Sequence, residues 1–144
     1  MFGWEFPPHN SGGLGTACFG LTRALTRQNV ELVFVLPKQF PVSADFKIVF
    51  AGLEKVRVRA VNSLLYPYVT GERYLRERTR TASFAYGLNL LEEVRLYGEQ
   101  ARLIAAEEEF DVIHAHDWLS FPAGIAAREV SGKPLVVHVH ATEF

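Results

Sequence analysis

The feature that most constrains this chain is a change of period that repeats along it. Short, valine-rich runs of strand length alternate with longer segments whose apolar residues fall at helical spacing. Val30–Leu36, closed by Pro37, reads as a strand, and so do Lys47–Phe50, Val56–Val61, Asp111–His116 and Pro134–His140. In the third run Val56, Val58 and Ala60 face one way and Arg57 and Arg59 the other, which predicts a sheet edge with one wet face. Between the strands, Gly15–Gln28 carries Ala17, Leu21, Ala24 and Leu25 at helical spacing. Phe84–Glu109 sets Leu88, Leu91, Val94, Tyr97, Ala101 and Ile104 on one stripe. Phe121–Val130 is a short helix stopped by Ser131–Gly132, with Pro122 admissible only in its first turn. The alternation predicts the α/β class: a doubly wound, mostly parallel sheet with helices on both faces. Asn62–Thr81 is the least regular stretch, with Pro67, Gly71 and Arg73, Arg76, Arg78 and Arg80 beside Glu72 and Glu77. It reads either as a solvated helix or loop, or as a flap beside an anionic ligand.

A length of 144 residues suits one domain, and 49% hydrophobic residues suffice for a core without staples. Fifteen Lys and Arg against sixteen Asp and Glu leave a net charge of -1, which provides no basic footprint for nucleic acid. One cysteine, Cys18, excludes a disulfide framework and a cysteine-based zinc site. No apolar run reaches the roughly 18 residues of a membrane helix, and no signal peptide opens the chain. The expectation is a soluble, cytoplasmic domain with no nucleic-acid partner and no membrane span. Both ends look cut. Only Met1–Trp4 is available for a first strand before Pro7 and Pro8, and the chain stops at Ala141–Phe144, where ligand-binding loops of a parallel sheet begin. Residues 1–144 are therefore expected to form a single domain of a longer protein.

Asn10-Ser-Gly-Gly-Leu-Gly-Thr16 joins the first strand to the first helix. Glycines there let backbone approach a ligand, and free N–H groups at the helix start favour an anion such as phosphate. Two familiar versions fail. A P-loop needs Lys and Ser or Thr after the last glycine, but Thr16 and Ala17 follow Gly15. A dinucleotide fingerprint would put its third small residue at Cys18 and an acid at the end of the second strand, where Val35-Leu36-Pro37-Lys38 stands. The missing acid counts heavily against NAD. A tight turn with no ligand is the plain alternative.

The second constellation is histidine. His114-Ala-His116-Asp117-Trp118 ends one strand and His138-Val-His140 the next. Residues two apart share a face, so four imidazoles would cluster if these strands are neighbours. Three readings stand. The imidazoles could hold a metal, with Asp117 or Glu143 as an added carboxylate. His114 and His138 could be buried mid-strand and hydrogen-bonded in the core. His116 and Asp117, at the strand tip, could meet a hydroxylated ligand, with Trp118 as an apolar wall for a sugar ring. Spacing alone does not choose between the first and third.

The ordered set Phe2-Gly-Trp-Glu-Phe-Pro-Pro8, Gly12-Gly-Leu-Gly15, Asp111-Val-Ile-His-Ala-His-Asp-Trp118 and His138-Val-His140-Ala-Thr-Glu143 resembles the N-terminal half of a retaining GT-B glycosyltransferase of the glycogen/starch synthase-like group. The resemblance covers nearly the whole chain. It implies a Rossmann-like, acceptor-side domain facing a second, C-terminal Rossmann-like domain that binds most of a nucleoside-diphosphate sugar. It implies that Gly12 and Gly13 contact donor phosphate, that His116 lies near the transferred sugar with Asp117 close by, and that Glu5, Trp118 and His140 are candidates for the substrate cleft. The implied reaction is hexosyl transfer to a carbohydrate acceptor with retention, without cofactor or metal, and inactive in this chain alone. One departure is Asn10, where bacterial and plant glycogen synthases carry Lys; it puts an ADP-glucose donor in doubt. The alternatives are a stand-alone sugar- or nucleotide-binding module and a histidine-cluster metallohydrolase. Half a cleft and an exposed sheet edge also predict self-association of the isolated domain.

Overall fold

The computed structural model describes residues 1–7, 12–37, 56–65, 69–81 and 87–140. Helix α1 spans Gly13–Arg27 and ends where Asn29 turns into the left-handed region at φ 66°. Strand β1 (Leu32–Leu36) follows and pairs in parallel with β2 (Val56–Ala60), in register from Leu32 opposite Val56 to Leu36 opposite Ala60. A second parallel pair joins β3 (Ile113–His116) to β4 (Leu135–His138), with Ile113 opposite Leu135 and His116 opposite His138. The segment expected as a short first strand lies between the pairs. Phe2 bridges Val35 on one side and Ala115 on the other, both in parallel. Its N–H donates to His114 O at 2.7 Å, and its carbonyl accepts from His116 N at 3.0 Å. Gly3 N donates to Val35 O at 3.1 Å, and Val35 N to Met1 O at 2.8 Å.

Across the hydrogen bonds the order is therefore β2, β1, the N-terminal segment, β3, β4. That is a doubly wound order with all described pairings parallel, as the alternating periods predict. The strand expected at Lys47–Phe50 lies outside the described residues. Among the described residues β2 pairs on one side only, with β1; Val56 and Val58 pack on the core, and Arg57 and Arg59 both reach the carboxylate of Glu108, at 2.9 and 2.8 Å. Arg59 also holds Glu107 at 2.8 Å.

Helix α2 (Gly71–Thr81) turns the irregular, arginine-rich stretch into a solvated helix with Tyr74 as its buried residue. Its exposed face carries an Arg76–Glu72 pair at 2.7 Å one turn apart, a contact of small net value in water. Helix α3 (Leu90–Glu107) begins later than its periodicity suggests, because Asn89 caps it by accepting Glu92 N at 3.0 Å. The stripe shifts with it. Val94, Tyr97, Ala101 and Ile104 are buried as expected, but Leu88 and Leu91 are exposed, and Leu90 packs on the core instead. Leu88 precedes the cap, and Leu91 falls on the flank of the inward face. Helix α4 (Phe121–Ser131) carries Pro122 in its first turn and is closed by Gly132 at φ 68°. It lies close on the β3–β4 pair: a Cβ on Gly124 would meet Ala115 Cβ at 2.9 Å. Among the described residues no helix is long and apolar enough to cross a membrane.

The core gathers Phe2, Phe6, Phe34, Leu36, Ala115, Leu119 and Tyr97. Two polar groups from α3 reach into it. The Tyr97 hydroxyl meets the carbonyls of Gly3 and Val35, each at 3.0 Å, and burial raises its pKa. Glu93, also buried, accepts four bonds: Ser63 Oγ at 2.6 Å, Leu64 N at 3.0 Å, Tyr74 OH at 2.9 Å and Gly87 N at 2.8 Å. One carboxylate thus ties α2 and two connecting segments to α3. Truncation would leave those donors buried without partners, so Glu93→Ala should destabilise the fold by about 3 kcal/mol. Urea denaturation of the variant measures this, and a loss below about 1 kcal/mol would show that the tie is dispensable.

Candidate functional site

In a doubly wound parallel sheet the ligand crevice opens beyond the carboxyl ends of the strands at the point where the winding reverses. Here that point falls between the N-terminal segment and β3. The connection after the first leads to α1, and β3 ends at His116, so the glycine turn and the histidine edge arrive together. Cys18, one turn into α1 and fully buried, shows how closely: its sulfur lies within 4.8 Å of a ring nitrogen of both His116 and His140. Burial pushes the Cys18 thiol up to about 12, helped by the charges of Glu5 and Asp117, so it is a packed thiol and not a nucleophile.

Gly12 caps α1 in an extended conformation (φ −158°, ψ −163°) with no side-chain bond to the helix. The carboxylate of Glu5 takes part of that role: its Oε1 accepts Gly15 N at 2.6 Å. Glu5 is only 1% exposed, so it lies beneath the turn and not at a rim. An acid at that position compensates part of the positive end of the helix. Gly12 and Gly13 sit ahead of the bonded N–H, on the outer side of the turn, and Gly13 is exposed. Asn10 and Glu143 lie outside the described residues.

Beyond β3 the backbone reverses at Asp117, which holds φ 62°. Few non-glycine residues adopt that left-handed conformation, and Asp is among the most tolerant. Asp117 is buried and clamped: its N–H donates to His138 O at 2.9 Å, and its Oδ1 accepts His140 N at 2.8 Å. Ser120 Oγ meets His116 O at 2.6 Å and Asp117 O at 3.0 Å, which fixes the turn from inside. Ser120 was not singled out by sequence reasoning; its only signal is a Ser three residues after the Asp and directly ahead of a helix start. Trp118 stands 41% exposed on the outer side of the turn.

The parallel pairing of β3 and β4 brings all four histidines to one face. Ring centroids are 4.2 Å apart for His114 and His116, 4.1 Å for His138 and His140, and 5.1 to 5.5 Å across the strands. His116 is 0% exposed, and its Nδ1 lies 2.8 Å from His140 Nε2. One of these nitrogens donates and the other accepts, so the pair shares one proton. The Nε2 atoms of His114 and His116 are buried and have no hydrogen-bond partner among the described residues. That corrects the expectation of a hydrogen-bonded core pair at His114 and His138. His138 is exposed, because nothing among the described residues covers the outer side of β4, where Val136, Val137 and Val139 are also exposed.

Burial, reinforced by the neighbouring imidazoles, lowers His114 to about 4 and His116 to about 3, and burial lowers His140 as well. At neutral pH these three rings are uncharged. They can exchange hydrogen bonds with hydroxyls but supply no cation to a phosphate. A cavity of about 720 Å³ lined by Met1, Leu32, Val112 and Ile113 opens at the opposite, amino-terminal ends of the strands and is not this crevice.

The fold and its switch point define a Rossmann-like ligand-binding domain of the kind that forms half of a two-domain cleft. More specifically, residues 12–144 match the model of the glycosyl transferase 4-like domain, and the chain belongs to that family. It is 26% identical over its whole length to an uncharacterized glycosyltransferase of Methanocaldococcus jannaschii, covering 31% of that protein. It is 27% identical over 99% of its length to glycogen synthase of Mycobacterium tuberculosis, covering 33%. The chain thus spans about a third of the length of these curated relatives. No solved structure matches it significantly. The resemblance to the N-terminal domain of a glycogen synthase-like GT-B glycosyltransferase is borne out.

The lowered imidazole pKa values carry a pH dependence. An unfolded histidine titrates near 6.5, so below about 6.5 the unfolded chain binds more protons than the folded one. Stability should be full above that pH and fall as pH drops toward 4 and then 3. Urea midpoints in metal-free buffer at about pH 7 and about pH 5.5 measure it, and His114→Asn should flatten the difference. Equal midpoints in the unaltered chain would contradict the neutral, buried state of the pair.

Proposed function

We propose that this chain is the acceptor-side domain of a retaining, nucleotide-sugar-dependent hexosyltransferase of the glycogen/starch synthase-like kind, and that it is inactive without a second, C-terminal Rossmann-like domain. The observation that carries the reading is the meeting of the glycine-started helix with His116 and Asp117 at the switch point. Similarity to the mycobacterial glycogen synthase supports it.

In this reading the donor is a nucleoside-diphosphate sugar and the acceptor a carbohydrate. Transfer passes through an oxocarbenium-like state as the diphosphate departs. The outer N–H groups at Gly12 and Gly13 meet the developing phosphate charge, as preorganised donors do. Because Glu5 already faces the same helix end and the nearby imidazoles are neutral, most of the countercharge comes from cations of the other domain. Neutral His116 exchanges a hydrogen bond with a hydroxyl of the transferred sugar. Asp117 holds the turn that presents it, His140 fixes its ring, and Trp118 offers an apolar face to the acceptor. Glu5 acts by setting the start of α1. No side chain is given the part of covalent nucleophile.

The test is kinetic. In the longer, two-domain protein, His116→Asn should lower kcat/KM for the nucleotide sugar by about a hundredfold while the thermal midpoint shows that the fold persists. Unchanged kinetics would remove His116 from the site. Turnover of a nucleotide sugar by the isolated chain would refute its dependence on a second domain.

A further inference from the structure

The histidine face has a second capacity that does not depend on the glycosyltransferase reading, and an ion held by His116 Nε2 would stand in place of a sugar hydroxyl there. We propose that His114, His116 and His138 form a binding site for a divalent transition-metal ion, of the borderline kind represented by Zn²⁺. One ring nitrogen of each lies within 4.8 Å of the other two. The backbone creates this proximity, because His114 and His116 share a face of β3 and the register sets His138 directly opposite His116.

Three further observations point to an ion. His116 is fully buried, yet among the described residues its Nε2 has no hydrogen-bond partner, and the buried Nε2 of His114 has none there either. A buried ring nitrogen in that state has lost its water and gained nothing, and a metal ion is a partner that a lone pair can satisfy. The other nitrogen of His116 is engaged by His140, whose backbone N–H is held by Asp117, which is how a ligating imidazole is usually oriented from behind. His138, exposed on β4, gives an ion a way in from solvent. Tetrahedral zinc with nitrogen ligands at about 2.1 Å places those nitrogens about 3.4 Å apart, so the trio must close in, and His138, whose ring lies parallel to that of His114, must turn to aim its lone pair at the ion. His138 can supply that movement, because its side chain is not enclosed.

The donor set decides the class of ion. Three imidazoles with no carboxylate suit Zn²⁺, Co²⁺, Ni²⁺ or Cu²⁺ and do not suit Mg²⁺ or Ca²⁺. A fourth position stays open to water. The neighbouring group of Cys18, His116 and His140 is the weaker candidate: its two imidazoles already spend a nitrogen each on one another, and its thiol is held protonated. An ion on the favoured trio would staple β4, the exposed edge, to β3.

The chain freed of metal with a chelator should bind about one Zn²⁺ in calorimetry, and its thermal midpoint should rise with free Zn²⁺. Co²⁺ should give the intense visible absorption of a four-coordinate ion without a near-ultraviolet thiolate band. His138→Ala, at an exposed position that leaves the fold intact, should weaken Zn²⁺ binding by roughly tenfold or more, and Cys18→Ser should leave it unchanged. The proposal is overturned by the lack of saturable Zn²⁺ binding, by undiminished affinity in His138→Ala, or by a cobalt–thiolate band.

Discussion

The sheet depends on three residues of backbone. Met1 and Gly3 hydrogen-bond to β1 on one side and Phe2 to β3 on the other, and no other described segment joins the two strand pairs. The Tyr97 hydroxyl adds a bond from α3 to the same place, at Gly3 O and Val35 O. Their hold is backed by burial, since Phe2, Phe34, Val35 and Ala115 are all in the core. The position of the site follows from this joint. The winding reverses there, so the turn into α1 and the end of β3 are brought side by side, and Cys18 reaches the histidines.

Much of this was legible in the sequence. The valine runs gave β1 through β4 within a residue or two, because a strand buried among neighbours must be apolar and β-branched. Arg57 and Arg59 marked the wet face of β2 because charged side chains at alternate positions leave only one apolar face. The clustering of four imidazoles also followed from period two once β3 and β4 were neighbours.

What was not legible was tertiary. Nothing in the helical pattern of α3 marks Glu93 as buried, because the donors that satisfy it come from Ser63, Leu64, Tyr74 and Gly87. The apolar stripe at Leu88 and Leu91 was misplaced because capping by Asn89 fixes where the helix starts, and spacing cannot report that. The bond of Glu5 to Gly15 N joins residues ten apart in sequence, a relation that no local pattern announces. The roles of Gly12, Gly13, His116 and Asp117 toward a ligand rest on the family and on the proposal, not on the fold alone.

The proton shared by His116 and His140 gives the crevice a reversible polarity. If His116 Nδ1 carries it, the buried Nε2 is an acceptor; if His140 Nε2 carries it, the same Nε2 is a donor. No heavy atom moves between these states, and neither brings a charge. A wall of this kind can match a hydroxyl in either orientation when both rings change tautomer together: the bridging proton crosses, His116 Nε2 takes up a proton and His140 Nδ1 gives one up, so what binds there selects the tautomer and the tautomer need not select what binds.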